Sequence, residues 1–176
     1  MKDNYYQPDA FYYERQYFAV WVYLVLVVIV WGTAWAYADI ELRQDIVTDI
    51  VTAFFIFLVV PMSLLFFLGA FRMNTEIRKG ELYIYFGILF PMLWKRIPLE
   101  VIAETQSVVY RPLRDAGGWG YRRGRFAEHR VWFYSARGNK GVFVTTLDGG
   151  RYIIGSQQPD VLKTELDRAC LQQQER

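Results

Sequence analysis

The chain has 176 residues, of which 53% are apolar, and its basic residues exceed its acidic residues to give a net charge of +2. This length fits one domain of ordinary size together with further segments. The single cysteine, Cys170, excludes an internal disulfide, and the single histidine, His129, excludes a metal site built from several histidine and cysteine ligands.

The leader, residues 1–17, is rich in tyrosine and phenylalanine and has a net charge of −1. Amphipathic aromatic rings prefer the headgroup layer of a bilayer. We therefore predict that the leader lies at the cytoplasmic membrane interface and forms an aromatic belt. A disordered tail is the alternative.

Two long uncharged runs follow, Phe18–Ala38 with 21 residues and Ile50–Phe71 with 22 residues. A helix of about 20 apolar residues is long enough to cross a hydrocarbon core. The sequence therefore predicts a transmembrane helical hairpin over residues 18–71, with spans at 18–38 and 50–71.

The charges around these runs predict their orientation. The connector, residues 39–49, has a net charge of −3, whereas residues 72–176 contain 17 basic and 11 acidic residues, a net charge of +6. Because lysine and arginine favour the cytoplasmic side, we expect the acidic connector outside and both termini in the cytoplasm. This predicts a multi-pass protein of the inner, or plasma, membrane.

Residues 72–176 are numerous enough for one folded core, and their pattern is mostly that of strands. In ELYIYF, residues 81–86, Leu82, Ile84 and Phe86 alternate with tyrosines, which is typical of a strand with two distinct faces. Further β-rich segments are separated by the turn sequences RGNKG and LDGGR, so an antiparallel barrel or sandwich is expected.

The C-terminal segment predicts a single amphipathic helix. Pro159 and Asp160 suit its first turn. Apolar side chains then recur on one face: Val161, Leu162, Leu166, Ala169 and Cys170. We expect this helix to cover one open end of the barrel, with Cys170 in core packing rather than acting as a reactive thiol.

Three sequence pieces carry a resemblance to a known family: IPLEVI at 97–102, GGWG at 117–120 and GSQQP at 155–159. With their surroundings, over about residues 72–170, they resemble the bacterial pleckstrin-homology-like (PH-like) domain proteins, which have an N-terminal transmembrane hairpin. The resemblance implies a seven-stranded, strongly bent barrel capped by a C-terminal helix. The predicted fold class is thus an α+β membrane protein, with two transmembrane helices followed by a PH-like antiparallel β-barrel. The family is largely of unknown function, and the resemblance implies no catalytic residues.

The segment GGWGYRRGR, residues 117–125, raises the question of a phosphate-binding loop. Gly118, Gly120 and Gly124 have the spacing GxGxxxG rather than GxGxxG, and no apolar helical face follows them. No Ser-His-Asp, Cys-His or metal-ligand set can be assembled around His129. Asp115 and Glu128 are expected to pair with the surrounding arginines. We therefore predict a protein that is not an enzyme and that uses no cofactor and no metal.

The arginines around this segment are the main functional candidates. Arg111, Arg114, Arg122, Arg123 and Arg125, together with Trp119, are predicted to bind anionic lipid or a protein partner. The alternative is a basic surface that only keeps the domain in solution and satisfies the charge bias. Nucleic acid is not expected as a partner of a domain tethered to a membrane.

A second contact is predicted in YFGILFPMLW, residues 85–94, which is too short to cross a membrane. Phe90, Met92 and Trp94 are expected on an apolar loop that enters the membrane interface or contacts a subunit, with burial in the core as the alternative.

Together these observations predict a membrane-anchored, non-catalytic PH-like binding or scaffolding protein whose partners are membrane lipids. The alternative is a structural subunit of a homo-oligomer or of a larger membrane complex, in which the PH-like domain provides protein–protein contacts.

Overall fold

The computed structural model describes residues 10–41, 72–87 and 94–174, together with Leu58, Met62, Leu65 and Phe66. The chain divides into two compact units. The first combines residues 1–17 with residues 72–176, and the second comprises residues 18–71.

The first unit contains a four-stranded antiparallel sheet, here called sheet A. Its strands lie in the order β1-β2-β3-β4. They are β1 (Ala10–Tyr17), β2 (Arg72–Arg78), β3 (Glu81–Phe86) and β4 (Trp94–Pro98). The predicted alternation in β3 is confirmed, because Leu82, Ile84 and Phe86 are buried while the tyrosines between them are only partly buried.

The same unit contains a five-stranded sheet, sheet B, in the order β5-β8-β9-β7-β6. A 3-10 turn at Leu99–Val101 leads into it. The strands are β5 (Ile102–Val109), β6 (Gly120–Phe126), β7 (His129–Ser135), β8 (Lys140–Thr146) and β9 (Arg151–Gly155). The turns predicted at RGNKG and LDGGR join β7 to β8 and β8 to β9.

The main core lies between the two sheets. The ring of Phe86 in β3 stacks on the ring of Tyr134 in β7, with centroids 6.5 Å apart. The inward side chains of sheet A, including Met73, Ile77 and Ile97, are almost completely buried. Burial of such apolar area is the main force that holds the sheets together.

A C-terminal helix, which we number α3 (Pro159–Gln174), packs on this unit. It begins at Pro159, as predicted, and buries Leu162, Leu166 and Ala169. Cys170 is half-buried, with Sγ 3.8 Å from the carbonyl oxygen of Leu99. Val161 differs from the prediction, because its side chain is 47% exposed.

The connection between β5 and β6 crosses one face of sheet B, because these two strands form opposite edges of the sheet. It includes the short helix α2 (Pro112–Asp115). Tyr110 and Ala116 of this connection pack with Val131, Phe133 and Ile153 in a second apolar cluster. This cluster lies on the face of sheet B opposite Tyr134.

The leader forms part of this folded unit. Residues 10–17 pair with β2 in antiparallel register, from Ala10 opposite Arg78 to Tyr17 opposite Arg72. The aromatic residues of the leader from Phe11 to Tyr17 therefore lie in a strand of this unit, and the predicted interfacial position stays a prediction. Residues 1–9 lie outside the described residues.

The second unit contains helix α1 (Val20–Glu41). The helix includes Gly32 and Thr33, and its last turn carries Asp39 and Glu41, the first acidic residues of the predicted external connector. Of the second predicted span, 50–71, only Leu58, Met62, Leu65 and Phe66 are described, and all four are helical.

The predicted transmembrane hairpin is corrected by this structure. Among the residues that the structure describes, no helix combines the length and the apolar composition that crossing a membrane requires. The predicted inner-membrane, multi-pass localisation is corrected on the same finding.

The predicted strand arrangement is also corrected. Nine strands in two sheets are present in the described part of the chain, rather than seven in one antiparallel barrel. The leader supplies one of the additional strands. In addition, β7 and β9 pair in parallel, with Trp132 opposite Tyr152 and Tyr134 opposite Ile154.

Candidate functional site

The predicted arginine cluster divides between the two faces of sheet B. A Cβ atom added to Gly124 would lie 2.0 Å from the carbonyl oxygen of Asp115, so Gly124 faces the crossing connection. Because side chains alternate along a strand, Arg122 shares this face, while Arg123 and Arg125 point to the opposite face.

The opposite face carries a group of aromatic and arginine side chains that we call the arginine face. It consists of Tyr121, Arg123, Arg125, Arg130 and Trp132. The rings of Tyr121 and Trp132 stack at 5.0 Å with an interplanar angle of 5°. The guanidinium carbon of Arg123 lies 5.1 Å from the centroid of the Trp132 ring. Arg130 was not among the predicted site residues.

The arginine face concentrates positive charge. Arg125 of β6 lies directly opposite Arg130 of β7 in the antiparallel register. Like charges in directly opposed positions destabilise a strand pair. Within the described part of the chain, no ion pair includes Arg123, Arg125 or Arg130. The expected pairing of these arginines with Asp115 and Glu128 therefore does not occur there.

Strand β6 also presents an open edge. It is the terminal strand of sheet B and pairs only with β7 among the described strands. An edge strand leaves every second backbone N–H and C=O group without a partner in the sheet. The arginine face thus lies beside a row of backbone donors and acceptors.

Two further predicted site residues, Arg111 and Arg114, belong to the crossing connection itself. Arg111 precedes α2 and Arg114 is within it, and both are exposed. The Asp115 carboxylate accepts a hydrogen bond of 2.7 Å from the backbone N–H of Arg111, so it serves the local backbone. The structure does not place Arg111 and Arg114 on the arginine face.

Trp119 has a structural role in addition to any contact with a partner. Its indole N–H donates a 2.9 Å hydrogen bond to the carbonyl oxygen of Gly138, in the turn between β7 and β8. The carbonyl oxygen of Trp119 accepts a hydrogen bond of 3.3 Å from Nε of Arg122. The indole bond fixes the end of the crossing connection against sheet B, whereas the Arg122 bond is local and exposed.

Backbone conformation favours glycine at three positions of GGWGYRRGR. Gly117, Gly118 and Gly120 have φ angles of 72°, 132° and 106°. Residues that have a Cβ atom rarely adopt such φ angles. Gly124 is required for another reason, since the backbone of Asp115 and Ala116 lies against it. Gly117, Gly118 and Gly120 therefore shape the chain where the crossing connection enters β6.

The predicted apolar loop lies only partly within the described residues. Phe90 and Met92 are outside them. Trp94 is the first residue of β4, and its side chain is 53% exposed. The guanidinium carbon of Arg96 lies 5.1 Å from the centroid of its ring. Trp94 is therefore exposed beside a cation rather than buried in the core.

A network around Glu14 was not predicted from the sequence. Its carboxylate accepts hydrogen bonds from Tyr12 Oη at 2.8 Å and from Gln16 Nε2 at 3.1 Å. It also accepts bonds from Ser156 Oγ at 2.6 Å and from the backbone N–H of Gln157 at 2.7 Å. The network joins β1 to the segment between β9 and α3, and burial raises the pKa of the Tyr12 hydroxyl.

His129 and Cys170 are the two side chains whose surroundings bear on catalysis or metal binding. His129 is exposed at the start of β7. Burial, and then the charge of Asp167, raise the pKa of the Cys170 thiol. A thiol with a raised pKa is a poorer nucleophile at neutral pH. Among the described residues, no group of three or more possible ligands is arranged to hold a metal ion.

Comparison with known proteins leaves the family open: no family model, curated protein or solved structure matches the chain. The resemblance to PH-like proteins therefore stays a prediction, as does the anionic-lipid contact.

Proposed function

We propose that this protein is a non-catalytic binding module that recognises an acidic, extended segment of a protein partner. The segment adds as a further strand to the open edge of β6, and its carboxylates lie against the arginine face. The observation that carries the proposal is the unpaired juxtaposition of Arg125 and Arg130 beside this edge.

The edge of β6 provides the backbone contacts. Added strands hydrogen-bond through the main chain of a sheet edge and gain specificity from alternate side chains. Strand β6 has seven residues, which matches a partner segment of about seven residues. Side chains directly opposite each other in such a pair have Cβ atoms about 5 Å apart, within reach of a carboxylate–guanidinium contact.

The positive charges beside the β6 edge favour an acidic partner over a second copy of this chain. A second copy of β6 would bring Arg122, Arg123 and Arg125 against the same residues, and this repulsion disfavours self-association at the edge. An acidic segment brings the opposite charge and relieves the repulsion between Arg125 and Arg130. The arrangement therefore favours a different, acidic protein over a homo-oligomer formed through β6.

We expect the full chain to bind a fluorescein-labelled peptide of alternating glutamate and valine, measured by fluorescence anisotropy. The dissociation constant should rise between about 50 and about 300 mM sodium chloride, because exposed charges are screened by salt. The double variant R123Q/R125Q should raise it about fivefold to tenfold, since each exposed charge pair contributes up to about 1 kcal/mol.

The matched control is K163Q/R168Q, which removes two positive charges from α3, where both residues pair with acidic neighbours. This variant should bind the peptide within about twofold of the unmodified chain. A peptide with lysine in place of glutamate should not bind. Equal loss of affinity in both double variants, or tighter binding to anionic vesicles or to single-stranded DNA than to the peptide, would contradict the proposal.

A further inference from the structure

The arginine face holds three positive charges close together. Arg125 and Arg130 lie directly opposite each other, and Arg123 is two residues before Arg125 on the same face of β6. Directly opposed side chains have Cβ atoms about 5 Å apart, and the next positions on the same face are about 7 Å away. Three long arginine side chains can therefore meet around one bound group.

Packing on the other face of sheet B fixes this arrangement. The ring of Phe126 packs against the ring of Phe143, with centroids 5.9 Å apart, beside the second apolar cluster. Val131 of β7 belongs to the same cluster. Because side chains alternate along a strand, the neighbours of Phe126 and Val131, which are Arg125 and Arg130, both point to the arginine face.

One of the three arginines is held in position by an aromatic ring. The guanidinium carbon of Arg123 lies 5.1 Å from the centroid of the Trp132 ring, which itself stacks on Tyr121. Stacking uses the face of the guanidinium plane and leaves the N–H donors in that plane available to an oxyanion. A side chain that is already held in place loses less conformational entropy when a ligand binds.

The positive charge of the arginine face is greater than one carboxylate can neutralise. All three arginines are exposed, and none of them forms an ion pair within the part of the chain that the structure describes. A glutamate carries a single negative charge, whereas a phosphorylated serine or threonine carries about −1.5 to −2 at pH 7 and three acceptor oxygens. Arginine binds such groups through paired, charge-assisted hydrogen bonds.

We propose that the arginine face binds the phosphate of a phosphorylated serine or threonine in the acidic partner segment, so that phosphorylation of the partner strengthens the complex. This inference rests on the proposed function, which places the segment beside β6. A residue of the added strand opposite Arg125 lies two strand spacings, about 10 Å, from Arg130. A phosphoester and a long arginine side chain together bridge this distance, so that Arg123, Arg125 and Arg130 all reach the phosphate.

The test compares three fluorescein-labelled glutamate–valine peptides, whose central residue is phosphoserine, glutamate or serine, by fluorescence anisotropy with the full chain. We expect the phosphoserine peptide to bind about tenfold more tightly than the glutamate peptide, because the phosphate adds charge-assisted hydrogen bonds. The serine peptide should bind most weakly. A phosphoserine peptide that binds no more tightly than the glutamate peptide would overturn this inference and leave the proposed function intact.

Arg130→Gln removes the guanidinium group of β7 and leaves the β6 edge unchanged. The advantage of the phosphoserine peptide over the glutamate peptide should then fall from about tenfold to about threefold or less. Arg122→Gln is the matched control, because it removes one exposed positive charge from β6 on the opposite face. In this control the advantage should stay at about tenfold, and an equal advantage in both variants would overturn the inference.

Further outcomes separate this inference from the proposed function. A phosphoserine advantage of about tenfold without protection of the β6 amides from hydrogen exchange would contradict strand addition and retain the phosphate contact. Failure of all three peptides to bind would contradict both. Tighter binding to vesicles that contain phosphatidic acid than to the phosphoserine peptide would assign the arginine face to a lipid headgroup and overturn the inference.

Discussion

Replacing Glu14 with alanine should lower the free energy of unfolding by about 3 kcal/mol, because four hydrogen bonds to one carboxylate are lost. The backbone N–H of Gln157 and the Ser156 hydroxyl would lose their acceptor. The loss is measured from urea-induced unfolding of the full chain followed by circular dichroism.

The size of the effect should depend on the substitute. Glu14→Gln should cost less than Glu14→Ala, because the hydroxyl groups of Tyr12 and Ser156 can rotate and accept a bond from the new amide. Glu104→Ala, which removes an exposed carboxylate from β5, is the control and should change stability by about 0.5 kcal/mol or less. Equal stability of the Glu14→Ala and Glu104→Ala variants would show that β1 is not joined to residues 155–157 as described.

Replacing Gly124 with alanine should destabilise the chain by about 3 kcal/mol. The added Cβ would lie 2.0 Å from the carbonyl oxygen of Asp115 and 2.9 Å from Cα of Ala116, which is backbone that cannot rotate away. We expect the crossing connection to move off sheet B and to expose part of the cluster around Tyr110. The measurement is again the urea midpoint.

Arg122→Ala in the same strand and on the same face is the control for Gly124→Ala. This change adds no atom near the connection and should alter stability by about 0.5 kcal/mol or less. A Gly124→Ala variant as stable as the Arg122→Ala variant would contradict the close packing of the connection against β6.

The sequence predicted β3, the start of α3 and the turns after β7 and β8 well, because each of these features depends on residues close together in the chain. The alternation of Leu82, Ile84 and Phe86 fixes which face of β3 is buried, and Pro159 with Asp160 marks the start of α3. The turn sequences between β7, β8 and β9 likewise contain glycines, such as Gly138 and Gly149, with positive φ angles.

The sequence could not predict features that depend on distant pairing. The residues from Tyr12 to Gln16 form a strand whose partner, β2, begins more than 50 residues later. The interrupting run of apolar residues favoured an interfacial interpretation of the leader. The same non-local pairing brings Glu14 to Ser156, at a sequence separation of 142 residues.

The sequence indicated which residue type forms the candidate site, but not which of these residues share a face. Six arginines between residues 111 and 130 indicated an anion-binding surface. Alternation along β6 separates Arg122 from Arg123 and Arg125, and the register with β7 adds Arg130 and Trp132.

The most direct test of the proposed function is amide hydrogen exchange of β6, measured by NMR with and without saturating glutamate–valine peptide. Strand addition predicts that the alternate amides of residues 120–126 that do not bond to β7 exchange at least about tenfold more slowly in the complex. A peptide N-methylated along its central residues keeps its charge and should give no protection. Saturated binding with unchanged exchange throughout β6 would contradict the account.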